Sequence, residues 1–193
     1  KYKKFLISFK ILYSFVSCTK LTTCLFIKQN FMLIKLKNKE ALIIDDFKFK
    51  CSIGKRGIKK HKIEGDKSTP KGFFSFGKLY YRADRVDKPI TKLNVNKIKK
   101  KMGWCNDSKS KYYNSLIKIS KKYKYEKMFR HDNKYNYILV INYNTKKIPY
   151  RGSAIFIHLT KDYKPTAGCI ALKEKDFLIM VKLINKKTKI KIN

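Results

Sequence analysis

From Met32 onward the chain alternates apolar and polar residues with a period of two, and no other feature of the sequence constrains the fold as strongly. The segments MLIKLK, ALIID and FKFKCSI follow one another, with turn residues at Asn38 and at Asp45–Asp46 between them. Successive side chains of a strand point to opposite faces of a sheet, so this period predicts strands. The sequence therefore predicts a mainly β domain over residues 32–193.

Two apolar runs later in the chain predict the strongest strands. YNYILVINYN spans residues 135–144, SAIFIHL spans residues 153–159, and TKIKI predicts a closing strand near the end. The least regular part is residues 90–130, in which we expect a short helix around residues 114–123. The sequence contains no internal repeat and no low-complexity linker, which favours one domain.

One segment, EKDFLIMVKLINKK, has apolar residues that recur with helical spacing. Acidic residues occupy its first turn, where they interact favourably with the helix dipole. The predicted buried face consists of Phe177, Leu178, Val181 and Ile184. We therefore expect a single amphipathic helix beginning near Glu174.

The composition limits the classes of function. At 193 residues and 44% hydrophobic content, the chain can bury a core of its own. A net charge of +35 is typical of proteins that bind polyanions. However, only five of the 48 basic residues are arginine, the residue that binds phosphates and bases through two parallel hydrogen bonds. Lys, Asn, Ile, Tyr and Phe are enriched together, as an AT-rich genome would favour. We interpret the charge as a solvated lysine surface and expect no nucleic-acid partner.

The cysteines and histidines do not form a metal-site pattern. The cysteine number is odd and no C-x-x-C pair occurs, which argues against a complete disulfide framework and against zinc spacing. His61 and His131 stand in lysine-rich polar segments and are interpreted as surface residues. We expect no metal ion. The cysteines are Cys18, Cys24, Cys51, Cys105 and Cys169.

Residues 1–31 differ from the rest of the chain. Their apolar runs are interrupted by Lys10, Lys20 and Lys28, so none approaches the roughly 20 residues that span a bilayer, and no stable membrane span is expected. The basic start followed by an apolar run resembles a signal peptide, although no clear cleavage site follows. We expect residues 1–31 to be a signal-like leader or a misassigned start, and residues 32–193 to be the domain.

One short stretch carries a pair of residues suited to nucleophilic chemistry. His158 closes a predicted strand, and Cys169 stands 11 residues later, directly after Gly168 and before the predicted helix. A thiol becomes a strong nucleophile when an imidazole takes its proton. A glycine lets the backbone approach a substrate closely, and amides near the cysteine could bind an oxyanion. The alternative interpretation is a buried structural cysteine.

Three ordered motifs carry a resemblance to a known family. GSAIFIHL is followed by PTAGCIAL and then by DFL in the predicted helix, and EGDKSTPKGFF over residues 64–74 contains a T-P-x-G-x-F segment. GWCND is followed by Tyr113–Asn114, and Tyr143–Asn144 precede the strand with the histidine. Together these motifs resemble the L,D-transpeptidase (YkuD-type) catalytic domain, over roughly residues 32–193.

The resemblance implies both a fold and an activity. It implies a β-sandwich-like sheet with one helix after the catalytic cysteine, and a cysteine acyltransferase that acts on peptidoglycan stem peptides in the periplasm or cell envelope. Cys169 would be the nucleophile and His158 the general base, while Gly168 and Thr166 would shape the loop and the oxyanion site. No metal or organic cofactor would be needed, and we expect a monomer.

The sequence departs from the family pattern in three places. The gap between His158 and the cysteine is shorter than usual, Ala167 stands where a second histidine is common, and Ala171–Lys173 replace an Asn or Arg. His158 is therefore the only candidate base in the motif, and its orienting partner is not identified. Recognition of a substrate carboxylate falls to Lys173 or to a residue of the 54–72 loop, and the binding residues stay unknown.

Two other functions stay open at this point. An L,D-carboxypeptidase would use the same acylation but pass the acyl group to water. A polyanion-binding module would leave the Cys/His pair inert and would bind nucleic acid with a steep salt dependence. Near the motifs, Trp104 is interpreted as a packing residue, Cys105 as an ordinary side chain, and Glu64 and Asp66 as solvated.

Overall fold

Strands make up most of the regular structure in residues 32–193, the part of the chain that the computed structural model describes. The strands of this part are β1 (Leu33–Lys37), β2 (Ala41–Ile44), β3 (Phe47–Ser52), β4 (Ile58–Lys59), β5 (Thr69–Pro70), β6 (Gly72–Tyr81), β7 (Val95–Lys97), β8 (Met102–Cys105), β9 (Leu116–Lys118), β10 (Tyr125–Lys127), β11 (Tyr137–Ile141), β12 (Phe156–Leu159), β13 (Ile170–Leu172) and β14 (Lys189–Ile192). The helices are α1 (Glu174–Leu183) and a 3₁₀ turn (Asn133–Tyr135). The predicted leader, residues 1–31, lies outside the described residues. The prediction of a mainly β fold with one α-helix after Cys169 is confirmed.

Nine of these strands form a sheet that closes on itself. Their order is β11, β12, β13, β3, β2, β1, β14, β6 and β7. The long strand β6 closes the sheet because residues 72–75 pair with β14, whereas residues 76–81 pair with β11. Ile34, Leu42 and Leu139 are among the core side chains with no exposed area. The period of two in the sequence therefore reflects strands that turn one face toward a shared core.

The predicted turns between the first three strands are confirmed. β1 pairs antiparallel with β2, and β2 pairs antiparallel with β3. Asn38 and Asp45 have φ angles of 51° and 47°, in the left-handed region that Asn and Asp tolerate better than most residues. The pairing places Leu42 opposite Phe49, and both side chains are buried.

The short helix expected around residues 114–123 is wrong. This part of the chain contains β9, which pairs antiparallel with one edge of β8, while β10 pairs with the other edge. Asn114 has a φ of 52°, which a right-handed helix does not allow, and Trp104 lies opposite Leu116. Backbone pairing with β8 therefore overrides the weak local preference for a helix.

The helix α1 follows β13 closely and packs into the main core. Phe177, Met180 and Val181 have no exposed area, and Leu178 is half-buried on the same side. Each fully buried apolar side chain contributes about 1.5–3 kcal/mol. The helix has ten residues, and no helix in residues 32–193 is long and apolar enough to cross a membrane.

Candidate active site

The two residues predicted to carry the chemistry lie on neighbouring segments of the closed sheet. β12 pairs in parallel with β13, so that His158 lies opposite Ala171, and Cys169 lies two residues before Ala171. Ile157, which precedes His158, and Ile170, which follows Cys169, face the enclosed core. Because alternate residues of a strand share a face, His158 and Cys169 point to the outer side of the sheet. Both line one cavity of about 1360 Å³.

The Cys169 sulfur is held by two backbone groups of the preceding segment. Sγ accepts a hydrogen bond from the Phe156 N–H at 3.3 Å and donates one to the Ala154 carbonyl at 3.2 Å. Burial raises the pKa of the Cys169 thiol, and the nearby charge of Glu126 raises it further. The resting side chain is therefore a thiol rather than a thiolate.

His158 has the partner that sequence analysis did not identify. Its Nδ1 lies 2.9 Å from the carbonyl oxygen of Leu159. A carbonyl only accepts hydrogen bonds, so Nδ1 carries the hydrogen and Nε2 keeps a lone pair. Burial lowers the pKa of His158 to about 4, and the Tyr135 ring packs against the imidazole at a centroid distance of 5.3 Å. The imidazole is therefore neutral near neutral pH and can accept a proton.

The turn before the cysteine is fixed by Thr166 and Gly168. The Thr166 hydroxyl donates to the Cys169 carbonyl at 2.6 Å and accepts from the Gly168 N–H at 3.1 Å. Gly168 has a φ of 143°, and a Cβ at this position would lie 2.8 Å from the carbonyl oxygen of Ser68. Only glycine fits here without strain. Because Thr166 already holds the Gly168 N–H, the oxyanion role expected for Gly168 stays a prediction.

The T-P-K-G motif lies directly against this turn. The Thr69 hydroxyl accepts the Gly54 N–H at 2.9 Å and donates to the Gly168 carbonyl at 2.9 Å. Thr69 has no exposed area, and the backbone of Gly54 bridges to Thr166. Two motifs separated by about a hundred residues therefore form one hydrogen-bonded unit around the cysteine.

Comparison with known proteins identifies the family of this chain. The family model of the L,D-transpeptidase catalytic domain, YkuD, matches residues 27–192, which include His158, Gly168 and Cys169. The chain belongs to this family. The family resemblance expected from the sequence motifs is thereby confirmed. A search of curated proteins gave no match.

Two crystal structures resemble this L,D-transpeptidase domain. Both are of the helical cell shape determining protein Pgp2 from Campylobacter jejuni, one of them a single-residue mutant. Each is 20% identical to the chain, with TM-scores of 0.41 for the unmodified protein and 0.43 for the mutant. The match covers 84% of this chain and 46% of each Pgp2 chain, so the chain spans less than half the length of these structures.

The interpretation of Glu64 and Asp66 as solvated residues is wrong for this L,D-transpeptidase domain. Glu64 Oε2 accepts hydrogen bonds from the Tyr113 hydroxyl at 2.5 Å and from the Ser153 hydroxyl at 2.7 Å. The Asp66 side chain is 9% exposed and binds the Lys62 ammonium at 2.7 Å. Glu64 belongs to the wall of the cavity, and its partners come from segments that are distant in the sequence. Asp66 is instead held by residues of its own loop.

Trp104 packs, as expected, but it also positions a polar group. Its ring meets Phe156 edge to face at 5.2 Å, and its Nε1–H donates to Asn114 Oδ1 at 2.9 Å. The same oxygen accepts the Ala154 N–H at 3.1 Å. Ala154 has a φ of 52°, unusual for alanine, and its carbonyl holds the Cys169 thiol. Asn114 therefore stabilises the strained residue that orients the sulfur.

Sequence analysis missed two charged residues of the cavity wall. Lys62 is 3% exposed although it lies in a run of basic residues that looks solvated. Glu126 accepts a hydrogen bond from the Tyr135 hydroxyl, and burial raises the pKa of this carboxyl. No sequence signal separates either residue from its neighbours. In residues 32–193, no group of three His, Cys, Asp or Glu side chains is placed to hold a metal ion.

Proposed function

We propose that this domain is a cysteine acyltransferase of the L,D-transpeptidase type, which acts on peptidoglycan stem peptides in the periplasm or cell envelope. The observation that supports this most strongly is that Cys169 and a neutral His158 open into one cavity in a chain of this family. Membership of the family supports the reaction class. The site geometry supports Cys169 as the nucleophile and His158 as the general base.

The first half-reaction would form an acyl-enzyme. His158 Nε2 takes the Sγ proton of Cys169, and the sulfur attacks the carbonyl carbon of the bond before the terminal D-residue. The tetrahedral intermediate then collapses with cleavage of the C–N bond. The leaving amine takes the proton from the imidazolium, and the shortened stem peptide stays on Cys169 as a thioester.

The second half-reaction would transfer the acyl group to an amine. A neutral amine of a second stem peptide attacks the thioester carbonyl, His158 accepts the proton that the nitrogen loses, and the C–S bond breaks. The proton returns to the Cys169 sulfur. A cavity of about 1360 Å³ has room for a donor and an acceptor together. Lys134, Lys164 and Lys173 line its exposed rim, where positive charge would attract carboxylate-bearing peptides.

The test is incubation of the chain with a disaccharide tetrapeptide and separation of the products by mass. We expect a cross-linked dimer, or exchange of the terminal D-residue for an added D-amino acid. Cys169→Ala should abolish both products and the thioester adduct, whereas Cys51→Ala, at a buried cysteine of the core, should keep them.

Three other results would change the assignment. Tripeptide as the sole product, even with abundant acceptor, would assign the domain as an L,D-carboxypeptidase. Turnover that survives Cys169→Ala would refute the proposed nucleophile. Nucleic-acid binding with a steep salt dependence and without any acyl-enzyme would favour the polyanion-binding module.

A further inference from the structure

A buried cation lies beside the proposed nucleophile. The Lys62 side chain is 3% exposed, and its ammonium donates to Asp66 Oδ1 at 2.7 Å and, weakly, to the Ile63 carbonyl at 3.5 Å. Removing an ammonium from water costs several kcal/mol, so such a group is retained only with good partners. An ammonium has three N–H donors, and only the one directed at Asp66 makes a short hydrogen bond within the part of the chain that the structure describes.

Gly152 makes the space that the Lys62 side chain occupies, and Gly168 lies beside its ammonium. A Cβ at Gly152 would lie 2.8 Å from Lys62 Cε, so a larger residue would displace the side chain. The Lys62 Nζ lies 3.5 Å from the position that a Gly168 Cβ would take. The ammonium is thus fixed against the turn that immediately precedes Cys169, on the wall of the catalytic cavity.

Asp66 holds the ammonium in this position. Its carboxylate accepts hydrogen bonds from the Ile63 N–H at 3.0 Å, the Ser68 N–H at 2.9 Å and the Ser68 hydroxyl at 2.6 Å. Burial alone would raise the pKa of Asp66, but the hydrogen bonds from Lys62 and Ser68 hold it well below its usual range. The Asp66 side chain therefore stays a carboxylate across the working pH range of an enzyme.

The proposed reaction develops negative charge that such a cation would stabilise. Negative charge develops on the Cys169 sulfur and then on the carbonyl oxygen of the tetrahedral intermediate. The titratable groups that line the cavity together with the sulfur include Glu126, Tyr135, His158 and Lys62. Burial and Glu126 oppose the thiolate, whereas the Phe156 N–H and, to a smaller extent, the Lys62 charge favour it.

We propose that the Lys62 ammonium stabilises the negative charge that forms at the reaction centre, first on the Cys169 sulfur and then on the substrate oxygen. When the sulfur electron pair forms the S–C bond, the carbonyl π pair moves to oxygen, and Lys62 donates a hydrogen bond without losing its proton. Collapse of the intermediate returns that pair to the carbonyl. This inference rests on the proposed acyl-transfer function and adds a catalytic residue to it.

The experiment compares Lys62→Met and Lys62→Arg with Lys60→Met. Lys60 is an exposed lysine of the same loop that does not line the cavity, so it is a matched control. Lys62→Met should slow single-turnover acylation by about 100- to 1000-fold, the usual loss for one oxyanion donor. Lys62→Arg should recover part of the rate because it keeps the charge, and Lys60→Met should acylate like the unaltered protein.

The pH profile of thiol alkylation gives a readout that a merely structural role would not change. In Lys62→Met, the rise of Cys169 alkylation by iodoacetamide should move to higher pH. Lys62→Gln keeps a donor for Asp66 without the charge, so it should show the same displacement if Lys62→Met fails to fold, as judged by circular dichroism. Folded Met and Gln variants with unchanged acylation and an unchanged profile would overturn the inference. If the unaltered protein forms no thioester at all, the proposed function fails, and the alkylation profiles still show whether Lys62 stabilises the thiolate.

Discussion

Acidification should destabilise the fold through His158 in a way that can be calculated. His158 is 8% exposed, and burial lowers its pKa from 6.5 to about 4. As the pH falls through 6.5 the unfolded chain takes up a proton at this histidine, but the folded protein does not do so until about pH 4. The stability that depends on the neutral imidazole is therefore complete above pH 6.5 and is lost as the pH falls toward 4.

The size of the loss follows from the difference between the two pKa values. That difference is about 2.5, and each step of one in pKa corresponds to about 1.4 kcal/mol. The free energy of unfolding should thus fall by about 3 kcal/mol from this residue alone, which is a large fraction of a typical domain stability of about 5–15 kcal/mol.

Urea unfolding at a series of pH values, with the unaltered protein and His158→Gln, tests this directly. Glutamine can still donate to the Leu159 carbonyl but takes up no proton. The stability advantage of the unaltered protein over the variant should shrink by about 3 kcal/mol between neutral pH and pH 4. Carboxylates with lowered pKa values, such as Asp66 and Asp132, act in both proteins and cancel in the comparison. A difference that stays constant with pH would refute the reasoning, and His131→Gln, at an exposed histidine, is the matched control.

Three substitutions test the rest of the site. Gly168→Ala should destabilise the domain by at least about 1–3 kcal/mol, because alanine disfavours this φ and its Cβ meets the Ser68 carbonyl; an unchanged urea midpoint would contradict this. Asn114→Ala leaves two N–H groups without an acceptor and should cost about 2 kcal/mol and slow acylation, whereas a stable, fully active variant would exclude a positioning role. Glu126→Gln should raise Cys169 alkylation several-fold at neutral pH, since the Glu126 charge raises the pKa of the thiol; an equal or slower rate would show that this charge does not act on the sulfur.

The strands, the helix and the position of His158 and Cys169 on one cavity could be predicted because each depends on nearby residues. The alternation after Met32 persists because one face of each strand meets the enclosed core. Gly168 and Cys169 stand out because the turn needs a residue without a Cβ directly before the thiol. The histidine and the cysteine come together through β12 and β13, two segments that neighbour each other in the sequence as well as in the sheet.

The charged walls of the site could not be predicted because they depend on distant residues. Lys62 is buried because Gly152, ninety positions later, leaves room for its side chain. In the sequence it is one of several lysines in KRGIKKHK, and nothing local separates it from the others. The position of Asn114 depends on the pairing of β9 with β8, which the sequence did not indicate and which the helix prediction missed.

Burial disfavours the charged form of both proposed catalytic groups, and this decides how the pair can work. Burial raises the pKa of the Cys169 thiol and lowers that of the His158 imidazole. A resting thiolate–imidazolium pair would therefore carry the desolvation cost of two buried charges. The neutral thiol–imidazole pair has the lower free energy. The proton should therefore move from Cys169 to His158 only as a substrate carbonyl accepts the sulfur electrons. A thiol kept neutral is also a poor target for oxidants, because the thiolate is the reactive form. In the oxidising cell envelope proposed for this domain, the same burial that slows the reaction of the free Cys169 thiol would preserve the thiol until substrate arrives.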